Sequence, residues 1–79
     1  MNKSDVLKQY KSDGLLDRIE IWLSDTIWLQ PTPNTRMFNN DNGSIMLTDV
    51  FFNSSCEPIG RIFLNRYVIS LDEIKSIDI

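Results

Sequence analysis

The chain has 79 residues, one cysteine, no histidine and a formal net charge of −3 at pH 7. This length accommodates one domain, and a domain this small buries only about 60% of the surface that its unfolded chain exposes. The composition excludes an internal disulfide and leaves almost no ligands for a structural zinc site. We therefore expect oligomerisation or a well-packed β core to supply the remaining stability.

The N-terminal segment is predicted to form a short helix over residues 5–12. Ser4 is a candidate N-cap residue, and Gly14 is a natural end for the helix. Its apolar face, at helical spacing, consists of Val6, Leu7 and Tyr10. We assign residues 1–14 to this helical segment and residues 18–79 to a β unit of the same single domain.

From residue 18 the apolar period changes to two, which predicts a first strand that ends at a turn at residues 24–25. A second strand begins at Thr26, is interrupted by Pro31 and Pro33, and resumes over residues 35–38. Alternation places Trp22 and Trp28 opposite the apolar faces of their strands. Two interpretations stay open, because exposed tryptophans favour a protein interface, whereas the helix or a bent sheet would also cover them.

The second half of the chain predicts further strands over residues 44–52, 61–64, 67–70 and 75–79. A turn at residues 39–43, a polar loop at 53–58 and a helical turn at 71–73 connect them. Asn65–Arg66 is a candidate tight turn, after which residues 67–70 either continue the strand or bend sharply. Alternation along these strands predicts the core residues Ile45, Leu47, Ile62, Leu64 and Ile77.

The sequence contains no pattern that is typical of a catalytic centre, a metal site or a cofactor site. No histidine is present to activate Cys56. Asp72 and Glu73 are adjacent, and adjacent side chains in a β context point apart. We therefore predict no enzyme, no cofactor and no metal. No apolar run approaches the ~20 residues of a membrane span, and the N-terminus lacks the features of a signal peptide. The expected location is the cytoplasm, without membrane association.

Two segments resemble the Sm/LSm family, which includes bacterial Hfq. Ile45–Val50 resembles the end of the first Sm motif, an apolar triplet followed by a polar residue, an acid and an apolar residue. Ile59–Leu64 resembles the start of the second motif, in which a Gly-Arg pair opens an apolar strand. The resemblance implies a short N-terminal helix followed by a five-stranded, strongly bent Sm-like (SH3-like) barrel over residues 18–79.

The resemblance also implies a ring of identical subunits and a pocket for single-stranded RNA. The base-contacting positions of the two motifs fall on Asn42, Ser44, Asn65 and Arg66, and none of them matches the family pattern. Lys8 and Lys11 offer a second surface on the helix. Residues 19–79 carry four basic and eight acidic side chains, so any RNA contact is expected to be weak and steeply salt-dependent.

An alternative of a different class is a small acidic protein that binds another protein, such as an assembly adaptor or a phage-encoded inhibitor. The net acidity and the two tryptophans favour this interpretation. Trp22 and Trp28 are its candidate interface residues. The sequence therefore leaves two functions open. One is self-association with possible RNA binding, and the other is binding to a different protein.

Overall fold

The computed structural model describes residues 2–56 and 60–79. Within them, a helix α1 (Lys3–Ser12) precedes the strands β1 (Glu20–Trp22), β2 (Ile27–Pro31), β3 (Met37–Asn39), β4 (Ser44–Ser54), β5 (Arg61–Ser70) and β6 (Ser76–Asp78). Short 3-10 turns lie at Leu16–Arg18 and Leu71–Glu73. The predicted class, mostly β with one N-terminal helix, is confirmed. No helix in the described part of the chain is long and apolar enough to cross a membrane.

The helix begins two residues earlier than the predicted one. Asn2 is the N-cap residue, and its side-chain oxygen accepts from the Asp5 backbone N–H at 2.9 Å. Ser4, the predicted cap, is instead buried inside the helix, where its hydroxyl accepts from the Asn39 side-chain amide at 3.0 Å. Leu7 is fully buried in the core, so α1 packs against one face of the sheet, here called the inner face.

All strand pairs are antiparallel, and β4 is the central strand. β5 lies along one side of β4, while β2 and β3 lie along the other. β1 pairs with β2, and β6 returns to pair with β1. β2 and β3 thus correspond to the two halves of the predicted strand that the prolines interrupt. The result is a single curled sheet in which β3, β5 and β6 each pair with one strand only.

The sheet bends at the same level in β4 and in β5. In β4 the inner residues step by three rather than two, from Leu47 to Val50, and Asp49 between them has a positive φ of 51°. The hydroxyls of Thr32 and Thr35 both donate to the Asp49 carbonyl at 2.8 Å. In β5, Leu64 and Tyr67 are the register partners of Val50 and Leu47 and show the same three-residue step.

The core consists of ten buried apolar side chains contributed by the helix, the 3-10 turns and the inner face of the sheet. They are Leu7, Leu16, Ile19, Ile21, Leu29, Ile45, Leu47, Val50, Ile69 and Ile74. Ile45 and Leu47 are confirmed as core, and Leu64 and Ile77 are half-buried against it. The prediction for Ile62 is wrong, because this side chain is 45% exposed near the start of an outermost strand.

Of the alternatives for residues 65–70, the structure shows a continuous strand and no tight turn at Asn65–Arg66. β5 runs without interruption from Arg61 to Ser70, and Arg66 pairs with Thr48. The predicted loop over residues 53–58 begins later, since β4 continues to Ser54. Residues 57 and 58 of that predicted loop, and residue 59 of the second Sm-like segment, lie outside the described residues.

Candidate interaction surface

The residues predicted to contact RNA in the first motif hold a turn together. The Ser44 hydroxyl donates to the Asn42 side-chain oxygen at 2.6 Å and pairs with the Asn40 amide nitrogen at 3.0 Å. The Asn42 oxygen also accepts from the Ser44 backbone N–H at 3.3 Å. These polar groups therefore stabilise the connection between β3 and β4.

The structure does not bring the predicted RNA contacts into one pocket. Ser44 lies opposite Ser70, whereas Arg66 lies opposite Thr48, four positions along the same ladder. At about 3.3 Å per residue, this separates Ser44 from the Asn65–Arg66 pair by about 13 Å. Lys8 and Lys11 lie apart from both, on α1, where they line a shallow groove with Met37 and Asn39.

The end of the sheet that carries Ser44 is rich in carboxylates. The Leu71 backbone N–H donates to the Gly43 carbonyl at 3.0 Å, which joins the β3–β4 turn to the 3-10 turn. Asp41 belongs to the first of these turns, and Asp72 and Glu73 belong to the second. The Lys3 ammonium donates to the Ile74 carbonyl close to Asp72, but the three carboxylates outnumber it. The excess of negative charge at this end opposes a phosphate backbone.

The two tryptophans form a stacked pair on the outer face of the sheet. Their rings are 4.6 Å apart between centroids, with an interplanar angle of 22°. Trp22 and Trp28 are direct register partners. Their strand neighbours Ile21 and Leu29 are fully buried on the inner face, where α1 packs. The helix therefore does not cover the tryptophans, and both side chains are half-buried.

Aromatic and arginine side chains continue this surface toward β5. The Arg61 guanidinium carbon lies 3.8 Å from the Phe51 ring centroid, a cation–π geometry. Phe51 contacts Phe63 edge-on, with centroids 5.2 Å apart. We call the set Trp22, Trp28, Phe51, Phe63 and Arg61 the aromatic face. Aromatic residues and arginine are enriched in the buried centres of protein interfaces.

One buried polar group lies within the aromatic face. Asn53 is a register partner of both Trp28 and Arg61, and only 6% of its surface is exposed. Its side-chain nitrogen has no hydrogen-bond partner among the described residues. A buried donor without an acceptor costs free energy, on the order of 1–3 kcal/mol. The face is therefore not optimised for the stability of the isolated chain.

The second feature is the side of Arg61–Ser70 that points away from β4, here called the β5 edge. β5 pairs with β4 alone, and no other backbone hydrogen bond involves residues 61–70 within the described residues. Ile62, Phe63 and Val68 are 45%, 49% and 59% exposed. Native proteins usually protect such edges with lysine, proline or a bulge. This one carries neither lysine nor proline, but it has Arg61 and Arg66 and the three-residue step between Leu64 and Tyr67.

Two titratable side chains in the described part of the chain have shifted pKa values. No group of three or more metal-ligating side chains is found within residues 2–56 and 60–79. Burial, with a smaller contribution from the Glu73 carboxylate, raises the pKa of Tyr67, which keeps its phenol neutral. The Lys75 ammonium pairs with Asp25 and holds the pKa of that exposed carboxyl below its ordinary value.

Comparison of the chain with protein-family models, with curated proteins and with solved structures finds no match. The Sm resemblance therefore rests on the short segments of the sequence and on the order of the elements. The functional argument that follows depends on the geometry of the β5 edge and the aromatic face.

Proposed function

We propose that this chain is a non-enzymatic interaction module that assembles with further copies of itself by strand addition at the edges of its sheet. The observation that carries the proposal is the β5 edge, ten residues long with apolar side chains exposed on both faces. An edge of this length is a template for pairing with another chain. Pairing satisfies its free backbone groups and removes the exposed apolar side chains from water.

An Sm-like barrel is part of the same proposal. The strand that follows the second 3-10 turn, β6, returns to pair with β1, and this order fits the barrel that the resemblance implies. RNA binding is not included, because Ser44 and Arg66 lie far apart on the ladder and carboxylates surround the Ser44 end.

The test is the mass of the assembly in solution. Native mass spectrometry and light scattering from about 1 to 100 μM are expected to show an oligomer that dissociates on dilution, because edge pairing buries a modest area. A chain that stays monomeric over this whole range would contradict self-association. It would then favour the second candidate.

The second candidate is binding of a different protein through the aromatic face. It is favoured by the stacked Trp22–Trp28 pair and by the Arg61–Phe51 contact, both on a face that α1 leaves open. A genuine partner, identified by cross-linking in lysate from the source cells, is expected to be lost with Trp28→Ala and kept with Val68→Lys. Loss of the partner with both variants, or with neither, would contradict this assignment.

A further inference from the structure

The β5 edge has two halves that correspond to one another about its centre. Ile62 and Leu64, before the centre, point to the inner face, as their register partners Phe52 and Val50 do. After the centre the inner residues are Tyr67 and Ile69. Inner residues are even-numbered up to Leu64 and odd-numbered from Tyr67 onward. The alternation of inner and outer side chains therefore shifts by one residue at positions 65–66.

We infer that two copies of the chain pair antiparallel through their β5 edges, about a two-fold axis that passes between Asn65 and Arg66. This inference rests on the proposed function and adds the partner strand and the register. The two-fold pair occupies the β5 edge of both copies and takes the place of the ring that the resemblance implies. The opposed positions are Arg61 with Ser70, Ile62 with Ile69, Phe63 with Val68, and Leu64 with Tyr67.

The phase reversal makes this register possible. A two-fold axis perpendicular to a sheet keeps every residue on its own face, so opposed residues must already share a face. In an evenly alternating strand, residues 63 and 68, five positions apart, would point to opposite faces. Because β5 shifts phase between 64 and 67, Phe63 and Val68 both point outward. The same shift places 62 with 69, and 64 with 67, on the inner face.

The pairing is self-complementary in polarity as well as in register. It brings Phe63, 49% exposed in the single chain, beside Val68, 59% exposed, as cross-strand neighbours on the outer face, and it brings Ile62 beside Ile69. Arg61 faces a serine and Arg66 faces an asparagine, so no like charges are directly opposed across the two strands. The two Arg66 side chains meet diagonally at the axis on the same face, which is the unfavourable contact of this register.

The pairing also joins two apolar rows that are separate in one chain. On the outer face, Phe51 and Phe63 form one row, and Phe38, Met46 and Val68 form another across β3, β4 and β5. With Phe63 of one copy opposite Val68 of the other, these rows become continuous across the two-fold axis. The other free edges among the described strands, β3 and β6, are each three residues long, against ten for β5.

The inference is tested by disulfide trapping in the full chain. Cys56, the single native cysteine, is first replaced by serine. In that background Phe63→Cys with Val68→Cys is expected to give, on oxidation, a covalent dimer joined by two disulfides, since opposed antiparallel positions bring Cα atoms within disulfide range. An internal disulfide is excluded, because the two positions of one strand are about 16 Å apart.

The single variants Phe63→Cys and Val68→Cys are the matched controls, and neither is expected to form a covalent dimer. A dimer from one single variant would mean a different register. A double variant that still associates without forming a disulfide would also overturn the inference, while leaving self-association intact. A monomeric wild-type chain would instead overturn both proposals.

A second pair of variants covers the case in which the double cysteine variant does not associate. Val68→Lys places an ammonium opposite Phe63 and is expected to raise the dimer dissociation constant about tenfold or more. Ile79→Lys, at a side chain 77% exposed beside β6, is expected to leave it unchanged. A folded Val68→Lys variant with wild-type affinity, checked by circular dichroism, would overturn the inference, as would dissociation by Ile79→Lys alone.

Discussion

β4 and β5 are neighbouring strands of eleven and ten residues, and both are rich in apolar side chains. In β4 the inner residues Ile45, Leu47 and Val50 are fully buried, whereas in β5 only Ile69 is. The difference follows from position, since β4 has strands on both sides and β5 on one. A strand with neighbours on both sides therefore buries its apolar side chains in the core. A strand with one neighbour, such as β5, keeps apolar side chains exposed and available to a partner.

The largest expected effect separates the two strands by their contribution to stability. Leu47→Ala in β4 should lower the free energy of unfolding by about 2–5 kcal/mol, because it leaves a cavity among fully buried side chains. Val68→Ala in β5 should change it by no more than about 0.5 kcal/mol, since the side chain is 59% exposed. Urea denaturation at concentrations where the chain is monomeric measures both. Similar losses for the two variants would contradict the contrast between the strands.

A smaller effect concerns the two asparagines of these strands. Asn53→Leu in β4 should raise the free energy of unfolding by about 1 kcal/mol, because it removes a buried nitrogen that has no partner among residues 2–56 and 60–79. Asn65→Leu in β5, at an exposed position, is the matched control and should bring no gain. The same denaturation series tests both. A loss of stability in Asn53→Leu would show that the amide has an acceptor in solution.

The smallest expected effect lies at the contact between the strands. Arg61→Ala should lower stability by about 0.5–1 kcal/mol, the usual contribution of a cation–π contact at an exposed site. Arg66→Ala removes the same charge from β5 without an aromatic contact, and thermal denaturation should show no change. A double-mutant cycle with Phe51→Leu isolates the contact. A coupling energy of zero would mean that the Arg61 guanidinium does not interact with the Phe51 ring in solution.

Local signals in the sequence predicted much of the fold. Period-two alternation located β1, β2 and β4, the two prolines marked the interruption between β2 and β3, and the Asn-rich run marked the turn before β4. Alternation also placed Trp22 and Trp28 on the face opposite the core. The positions of the strands and the direction of the tryptophans can each be predicted from a single strand, because side-chain direction in a strand depends only on the residue's position along it.

Where two local signals compete, a tertiary contact decided the outcome. Asn2 and Ser4 are both good N-cap residues, and the hydrogen bond from Asn39 holds Ser4 inside the helix. Asn65 and Arg66 are suited to a turn, yet they stay in β5, which runs beside the bend of β4. The sequence of β5 alone contains no information about that neighbour.

The interaction surface shows the same division. Composition and alternation by themselves determined a single, mostly β unit and two tryptophans that point away from the core. Only the tertiary structure decided that these tryptophans stack, that Arg61 covers Phe51, and that β5 is an outermost strand with a free edge. The physical reason is that burial and exposure depend on which strands lie side by side. That pairing is set by hydrogen bonds and packing between residues that are distant in the chain. The periodicity of apolar residues within one strand contains no information about it.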